Sequence, residues 1–359
     1  MTSEERQLEA PHRRGAAPPR MVERIGVLAY RATAWLLHVL PQRPAGFVVG
    51  LMAQGSYLVW PAKRRWSNNN FAHVLGLSPD DRRVRSLALR AYREYGRYLV
   101  ELMRLPSLPP AEVGRLVGNL DEEDVEFRRI WEASPGGLIL AAVHIGNNEA
   151  IAAGVASRGF PISVVADDTS FPELFELLRR QRAAWGFTLV PWRNLRAIFG
   201  VLRRREMLGL LIDWGYRSDG IPVRIFDAWT TLPAGPATLA AKTGSHILPV
   251  WIHRQPDGTF GVFWDVPIVV ASSDPAELQR ATQAMADAMA EPIRSAPHQW
   301  YSFKPLWPAS AAEGADLERR ALAMQAGLPD PGPARDLPRD EADEAATGEA
   351  VVEAAKAAL

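Results

Sequence analysis

Apolar positions change their spacing twice along the chain, and each change marks a different architecture. From Ile25 to Trp60 the composition is nearly all apolar, interrupted by Arg31 and Arg43. Between Arg43 and Lys63 lie 19 uncharged residues, PAGFVVGLMAQGSYLVWPA. A helix crossing a bilayer needs about 20 mostly apolar residues. Pro44, Gln54, Ser56 and Pro61 weaken this stretch as a span. It reads as a helix lying in or on the membrane interface, with a span at 44–62 left open. Two ordinary core helices would give the same apolar pattern. Residues 78–104 then switch to helical spacing: Val84, Leu87, Ala88, Ala91, Tyr95, Tyr98 and Leu102 share one face. Ser78 is the expected N-cap, Pro79 suits the first helical position, and Asp80 and Asp81 put negative charge in the first turn. The segment 111–133 is charged and mixed, without a strong period.

From residue 136 the runs shorten. GGLILAAV (136–143) enters through a Ser-Pro-Gly-Gly turn and reads as a buried strand. Helix 148–158, strand 161–167, helix 172–184, strand 187–192, helix 194–205 and strand 207–213 follow, then an edge-like strand at 223–227. After helix 234–243, residues 246–254 and 258–270 alternate as antiparallel strands, and a helix covers about 274–295. Strands alternating with helices predict an α/β fold: a mixed, largely parallel sheet flanked by helices, a sandwich rather than a barrel. The expected organisation is a disordered basic start (1–20), a helical membrane-associating region (21–110), an α/β core (111–308) and an acidic, mostly disordered tail (309–359) holding a helix near 317–328.

Composition narrows the chemistry. The 359 residues contain no cysteine, which removes disulfides, cysteine nucleophiles and thiolate metal sites. Lysine plus arginine (41) equals aspartate plus glutamate (41), so global charge does not point to nucleic acid. The balance is uneven along the chain. Residues 1–66 carry ten basic groups against Glu4, Glu5, Glu9 and Glu23, whereas residues 311–359 carry eleven acidic groups against five basic ones. A basic, tryptophan-containing start is attracted to anionic membranes by about 1 kcal/mol per basic residue near the surface. A solvated charge excess accounts for the same count without a partner.

Seven histidines are present, and only His144 falls where strand, loop and helix meet, in AAVHIGNNEA. Gly146 allows close backbone approach, the asparagines can cap, and Glu149 falls in the first helical turn. Residues five apart on one helix point about 140° away from each other, so His144 and Glu149 meet only if His144 precedes the helix. A strand-end histidine faces the C-terminal edge of the sheet, where open α/β folds bind ligands. Glu149 is expected to accept from one imidazole nitrogen, leaving the other as a general base. The helix N-terminus offers N–H groups for a developing oxyanion. A capped helix with a satisfied histidine is the structural alternative. There is no G-x-S-x-G elbow for a serine hydrolase and no H-E-x-x-H for zinc.

AVHIGNNE resembles the H-x4-[DE] motif of bacterial lipid A lauroyl/myristoyl-type acyltransferases and of the related phosphatidylinositol mannoside acyltransferases. Those families usually show H-x-G-N-W-[DE]; here Asn148 stands in the tryptophan position. The resemblance continues through YGRYLVELMRLP (95–106), RQRAAWGFTLVP (180–191), LLIDWGYRSDGIPVRIFD (210–227), LPAGPATLAAKTGSHILPVWIHR (232–254) and HQWYSFKPLWP (298–308). It implies a glycerolipid acyltransferase-like sandwich that moves a fatty acyl chain from acyl-CoA or acyl carrier protein to a glycolipid hydroxyl at the cytosolic face of the cytoplasmic membrane. His144 would be the base and Glu149 its orienting carboxylate, with no metal or redox cofactor. Arg182 resembles the family's arginine and could bind a substrate phosphate or hold the dyad carboxylate. Asp213 matches an acidic strand end; its alternative is a turn cap. Gly146 and Asn147 complete the substrate-contacting candidates, while Trp300, Tyr301 and Trp307 read as core or interface aromatics. Acylation of a glycerol phosphate or lysophospholipid, and a non-catalytic lipid-binding membrane module, are the competing readings.

Overall fold

A computed structural model describes residues 21–167 and 172–334. The expectations for 1–20 and 335–359 lie outside the described residues. Four helices come first: α1 (Met21–Val39), α2 (Gln42–Val59), α3 (Pro61–Leu75) and α4 (Arg82–Arg104). The apolar stretch 44–62 is divided between α2 and α3 by Trp60, which leaves the helical region, with Pro61 opening the next helix. No helix among the described residues is long and apolar enough to cross a membrane. α2 and α4 cross at glycines: a Cβ on Gly96 would lie 2.6 Å from the Gly50 Cα. One start moved. α4 begins at Arg82, not Pro79, because Ser78 to Asp81 close a turn (Asp81 N to Ser78 O, 2.9 Å) and Asp81 becomes the cap, its Oδ1 accepting from Arg83 N at 2.8 Å.

The mixed segment 111–133 folds as two helices, α5 (Pro110–Arg115) and α6 (Leu120–Ala133). The core alternates as expected: β1 (Leu138–Ala142), α7 (Asn148–Ser157), β2 (Ile162–Ala166), α8 (Pro172–Ala183), β3 (Thr188–Pro191), α9 (Leu195–Arg203) and β4 (Met207–Leu211). A hairpin, β5 (Ile221–Ile225) and β6 (Ala228–Leu232), forms its own two-stranded sheet. α10 (Gly235–Thr243), β7 (His246–Arg254), β8 (Phe260–Trp264) and α11 (Pro275–Ser295) complete it. The main sheet runs β3-β2-β4-β1-β7-β8, parallel except for β8. β1 sits in its middle and is buried on both faces, which is why LILAA shows no polar alternation. Ile139 and Ala141 enter one core with α4 and α11, while Leu138, Leu140 and Ala142 enter the other with α6 and α7.

Other boundaries differ from expectation as well: the strand read at 258–270 is regular only over β8, Phe260–Trp264, with Ile268 making an isolated bridge to Ile247. The edge strand read at 223–227 is the first arm of the hairpin and begins at Ile221; the second arm, AWTTL, went unread because polar Thr230 and Thr231 disguise it, yet both are buried. The tail expected from 309 is packed through its first part. α12 (Ala311–Gln325) opens with a Ser310–Glu313 capping box, and buried Arg320 donates to the Ser218 and Gly220 carbonyls (2.7 and 2.9 Å) while pairing with Asp330 at 2.6 Å.

Candidate active site

The pairing of β1 with β4 determines which groups meet. Their register aligns Ala142 with Leu211, so the residues two places beyond each strand end, His144 and Asp213, emerge side by side at the C-terminal edge. His144 Nδ1 lies 2.7 Å from Asp213 Oδ1, and the His144 backbone N–H donates to both carboxylate oxygens at 3.1 and 3.0 Å. Trp300 Nε1 donates to Oδ2 at 2.9 Å. The Asp213 side chain is fully buried, whereas the imidazole keeps 28% exposure. Burial pushes the Asp213 carboxyl up, but the facing imidazole and the hydrogen bonds from His144 and Trp300 outweigh it and hold the group below its ordinary value. A carboxylate on Nδ1 selects the tautomer that carries its proton there, leaving Nε2 with the lone pair.

Glu149 is elsewhere. Asn147 caps α7, its Oδ1 accepting from Ala150 N at 3.1 Å, and Asn148 Nδ2 donates to Val143 O at 2.9 Å. Glu149, in the first turn, is clasped by Arg182 at the end of α8: Nε to Oε2 at 3.0 Å and Nη2 to Oε1 at 2.7 Å. The phenol of Tyr30 on α1 is pushed up by burial, an effect that the charge of Arg182 partly offsets, and Tyr98, half-buried, is held well above its ordinary pKa chiefly by desolvation, with Glu149 adding to the rise. No hydrogen bond joins His144 to Glu149 among the described residues. The carboxylate on the imidazole is therefore Asp213, not Glu149, and the candidate roles exchange. Asp213, expected at a substrate, faces the histidine; Arg182, offered as either a phosphate binder or a carboxylate holder, takes the second geometry.

Gly146 is needed for packing: its φ is +65°, and a Cβ there would lie 2.1 Å from the Ile252 carbonyl oxygen. Asn147 is buried, with its Nδ2 lacking a hydrogen-bond partner among the described residues. Trp300, expected as a core or interface aromatic, is fully buried, and its indole N–H also donates to Asp213. Trp214, 44% exposed, lies 5.9 Å from the imidazole, ring centre to ring centre. No pattern marked Trp214 beforehand; its only signal was adjacency to Asp213.

This is an α/β protein whose polar groups gather at the C-terminal edge of a parallel sheet, around a histidine–aspartate pair. A model of the bacterial lipid A biosynthesis acyltransferase family matches residues 16–308, and the chain belongs to that family of acyltransferases. It is 30% identical over 302 residues to a phosphatidylinositol mannoside acyltransferase of Mycolicibacterium smegmatis, covering 82% of this chain and 94% of the relative. A phosphatidylinositol mannoside acyltransferase of Mycobacterium tuberculosis is 28% identical over 264 residues, covering 70% and 79%.

Proposed function

We propose that this enzyme transfers a fatty acyl chain from an acyl thioester to a sugar hydroxyl of a membrane glycolipid, with His144 as general base. The observation that carries the proposal is the His144 Nδ1–Asp213 hydrogen bond of 2.7 Å, which leaves Nε2 as the basic nitrogen on the exposed side. Nε2 takes the hydroxyl proton as the oxygen attacks the thioester carbonyl, and buried Asp213 faces the imidazolium that forms. The tetrahedral intermediate collapses, the C–S bond breaks, and the imidazolium returns its proton to the thiolate. The first N–H groups of α7 precede the intrahelical ladder and are suited to the oxyanion. Glu149 acts through Arg182 as a positioning residue that holds the loop from Val143 to Asn148. In this reading no resident cofactor takes part.

The two mycobacterial relatives, both phosphatidylinositol mannoside acyltransferases, favour a mannosylated phosphatidylinositol as acceptor over a lipid A precursor. For location, the exposed apolar side chains on α1 and α2 (Leu28, Trp35, Phe47, Leu51, Met52 and Val59 among them) support a peripheral or monotopic seat on the cytosolic face of the membrane. The test is purified full-length chain with labelled palmitoyl-CoA or palmitoyl-acyl carrier protein and vesicles containing mannosylated phosphatidylinositol, lipid A precursor or lysophosphatidic acid. Label in a mannoside lipid supports the proposal and identifies the donor. Label in lysophosphatidic acid alone would move the chain to glycerolipid synthesis, and label in none would leave a lipid-binding module.

A further inference from the structure

The segment after α11 crosses the His144 loop as a strap. Gly146 N donates to Gln299 O at 3.1 Å, Ile145 bridges Trp300, and Tyr301 N donates to His144 O at 2.7 Å. Buried Asn70 on α3 holds the next part: its Nδ2 donates to Ser302 O (3.0 Å) and Lys304 O (2.6 Å), and its Oδ1 accepts from Leu306 N (3.1 Å). Tyr216 N donates to Pro305 O at 2.8 Å. The backbone of Lys304 is thus fixed between α3 and the loop that follows Asp213.

Its ammonium lies 4.0 Å from the centre of the Trp214 ring, the same ring that neighbours His144. Nζ is shielded from solvent and has no hydrogen-bond partner among the described residues. Burial pulls the Lys304 pKa down to about 8; the Asp167 carboxylate beyond β2 draws it up, and Lys63 on α3 pushes it down by less than Asp167 raises it. An ammonium can serve three acceptors, and an indole face replaces only part of that solvation. Folding alone would favour an uncharged chain of the same length here, since an unpaired buried charge is costly. The acyl-transfer steps leave this cation unused.

We infer that Lys304, its ammonium held on the Trp214 ring, forms a subsite for a substrate phosphate next to the hydroxyl that His144 activates. A phosphate oxygen supplies the charge-assisted acceptor that Nζ lacks. The ammonium is no farther from the imidazole than the sum of the two ring distances given, a reach that one sugar–phosphate headgroup covers. The inference rests on the acyl-transfer reading, and the phosphate can belong to the acceptor headgroup or to the donor's phosphopantetheine arm.

Lys304→Met keeps the stem against Trp214 and removes the charge; Lys304→Arg keeps the charge. With palmitoyl-CoA and mannosylated phosphatidylinositol, K304M is expected to raise one KM about tenfold, the scale of one hydrogen bond to a charged group, with kcat changed far less and K304R close to wild type. A rise in acceptor KM that shrinks with a phosphate-free alkyl mannoside assigns the phosphate to the acceptor. A rise in donor KM with both acceptors assigns it to the donor. Titration calorimetry with glycerophosphoinositol and with phosphopantetheine reads binding without turnover, so a failure of acyl transfer is distinguishable from a failure of the subsite. Unchanged KM values and unchanged calorimetric affinities in K304M, or equal losses in K304M and K304R, would overturn the inference.

Discussion

Two carboxylates flank the His144 loop, and they do different work. At the sheet edge, Asp213 is fully buried, faces the imidazole and collects hydrogen bonds from His144 and Trp300. At the junction of α7 and α8, Glu149 neutralises a buried arginine and so ties the start of α7 to the end of α8. The first region centres on a hydrogen-bonded imidazole–carboxylate pair, the second on a bidentate ion pair. A sequence motif that spaces a histidine and an acid five apart therefore does not by itself say which acid serves the histidine.

The largest effects should come from the first region. His144→Ala and Asp213→Asn are each expected to lower kcat/KM by about 10²–10⁴-fold, the usual worth of a general base, while the half-exposed imidazole makes H144A nearly neutral for Tm. A D213N enzyme with wild-type turnover would break the comparison.

Glu149→Gln should act first on stability. It leaves the buried Arg182 guanidinium without its countercharge, at about 2–4 kcal/mol given that Glu149 is partly exposed. Replacing both partners, E149Q with R182M, is expected to recover most of that loss in urea denaturation. If the double variant regains stability but no activity, Glu149 has a task beyond pairing.

A pH dependence sharpens the contrast. The folded-state pKa of Asp213 is lowered from its ordinary value of 3.8. Its contribution to stability is then fully present above that value and is lost as pH falls through the lowered folded pKa. The stability gap between wild type and D213N, followed by chemical denaturation, should be flat at neutral pH and narrow below about pH 4. A gap that instead closes between pH 6 and 8 would contradict an ionised, hydrogen-bonded Asp213. Smallest of all, Trp300→Phe removes one donor from Asp213 and keeps the ring against Phe71, so about 1–2 kcal/mol and a few-fold loss of kcat are expected.

Much of the architecture was legible from local chemistry. β7 spans the expected 246–254, and helices and strands from 136 to 211 alternate as read, because their apolar periods and Gly/Pro punctuation act within a few residues. The hairpin arm Ala228–Leu232 escaped because its threonines are buried only by packing against residues distant in the chain, Thr230 donating to the Leu306 carbonyl. The misplaced start of α4 has the same lesson on a smaller scale: Ser78, Asp80 and Asp81 are all competent caps, and the turn closed by Ser78 decided among them.

The site was half legible. That His144 ends a strand and precedes a helix followed from AAVHIGNNEA alone, as did the cap at Asn147 and the place of Glu149 in the first turn. The sequence by itself determined these because each depends on neighbours along the chain. Only the tertiary structure decided that β4 pairs with β1 in the register that aligns Ala142 with Leu211, that Asp213 therefore reaches Nδ1, and that the strap brings Trp300 and Lys304 to the same edge. Those groups stand 69 to 160 positions from His144, and no local rule of spacing, burial or capping operates across such distances; strand order and packing do.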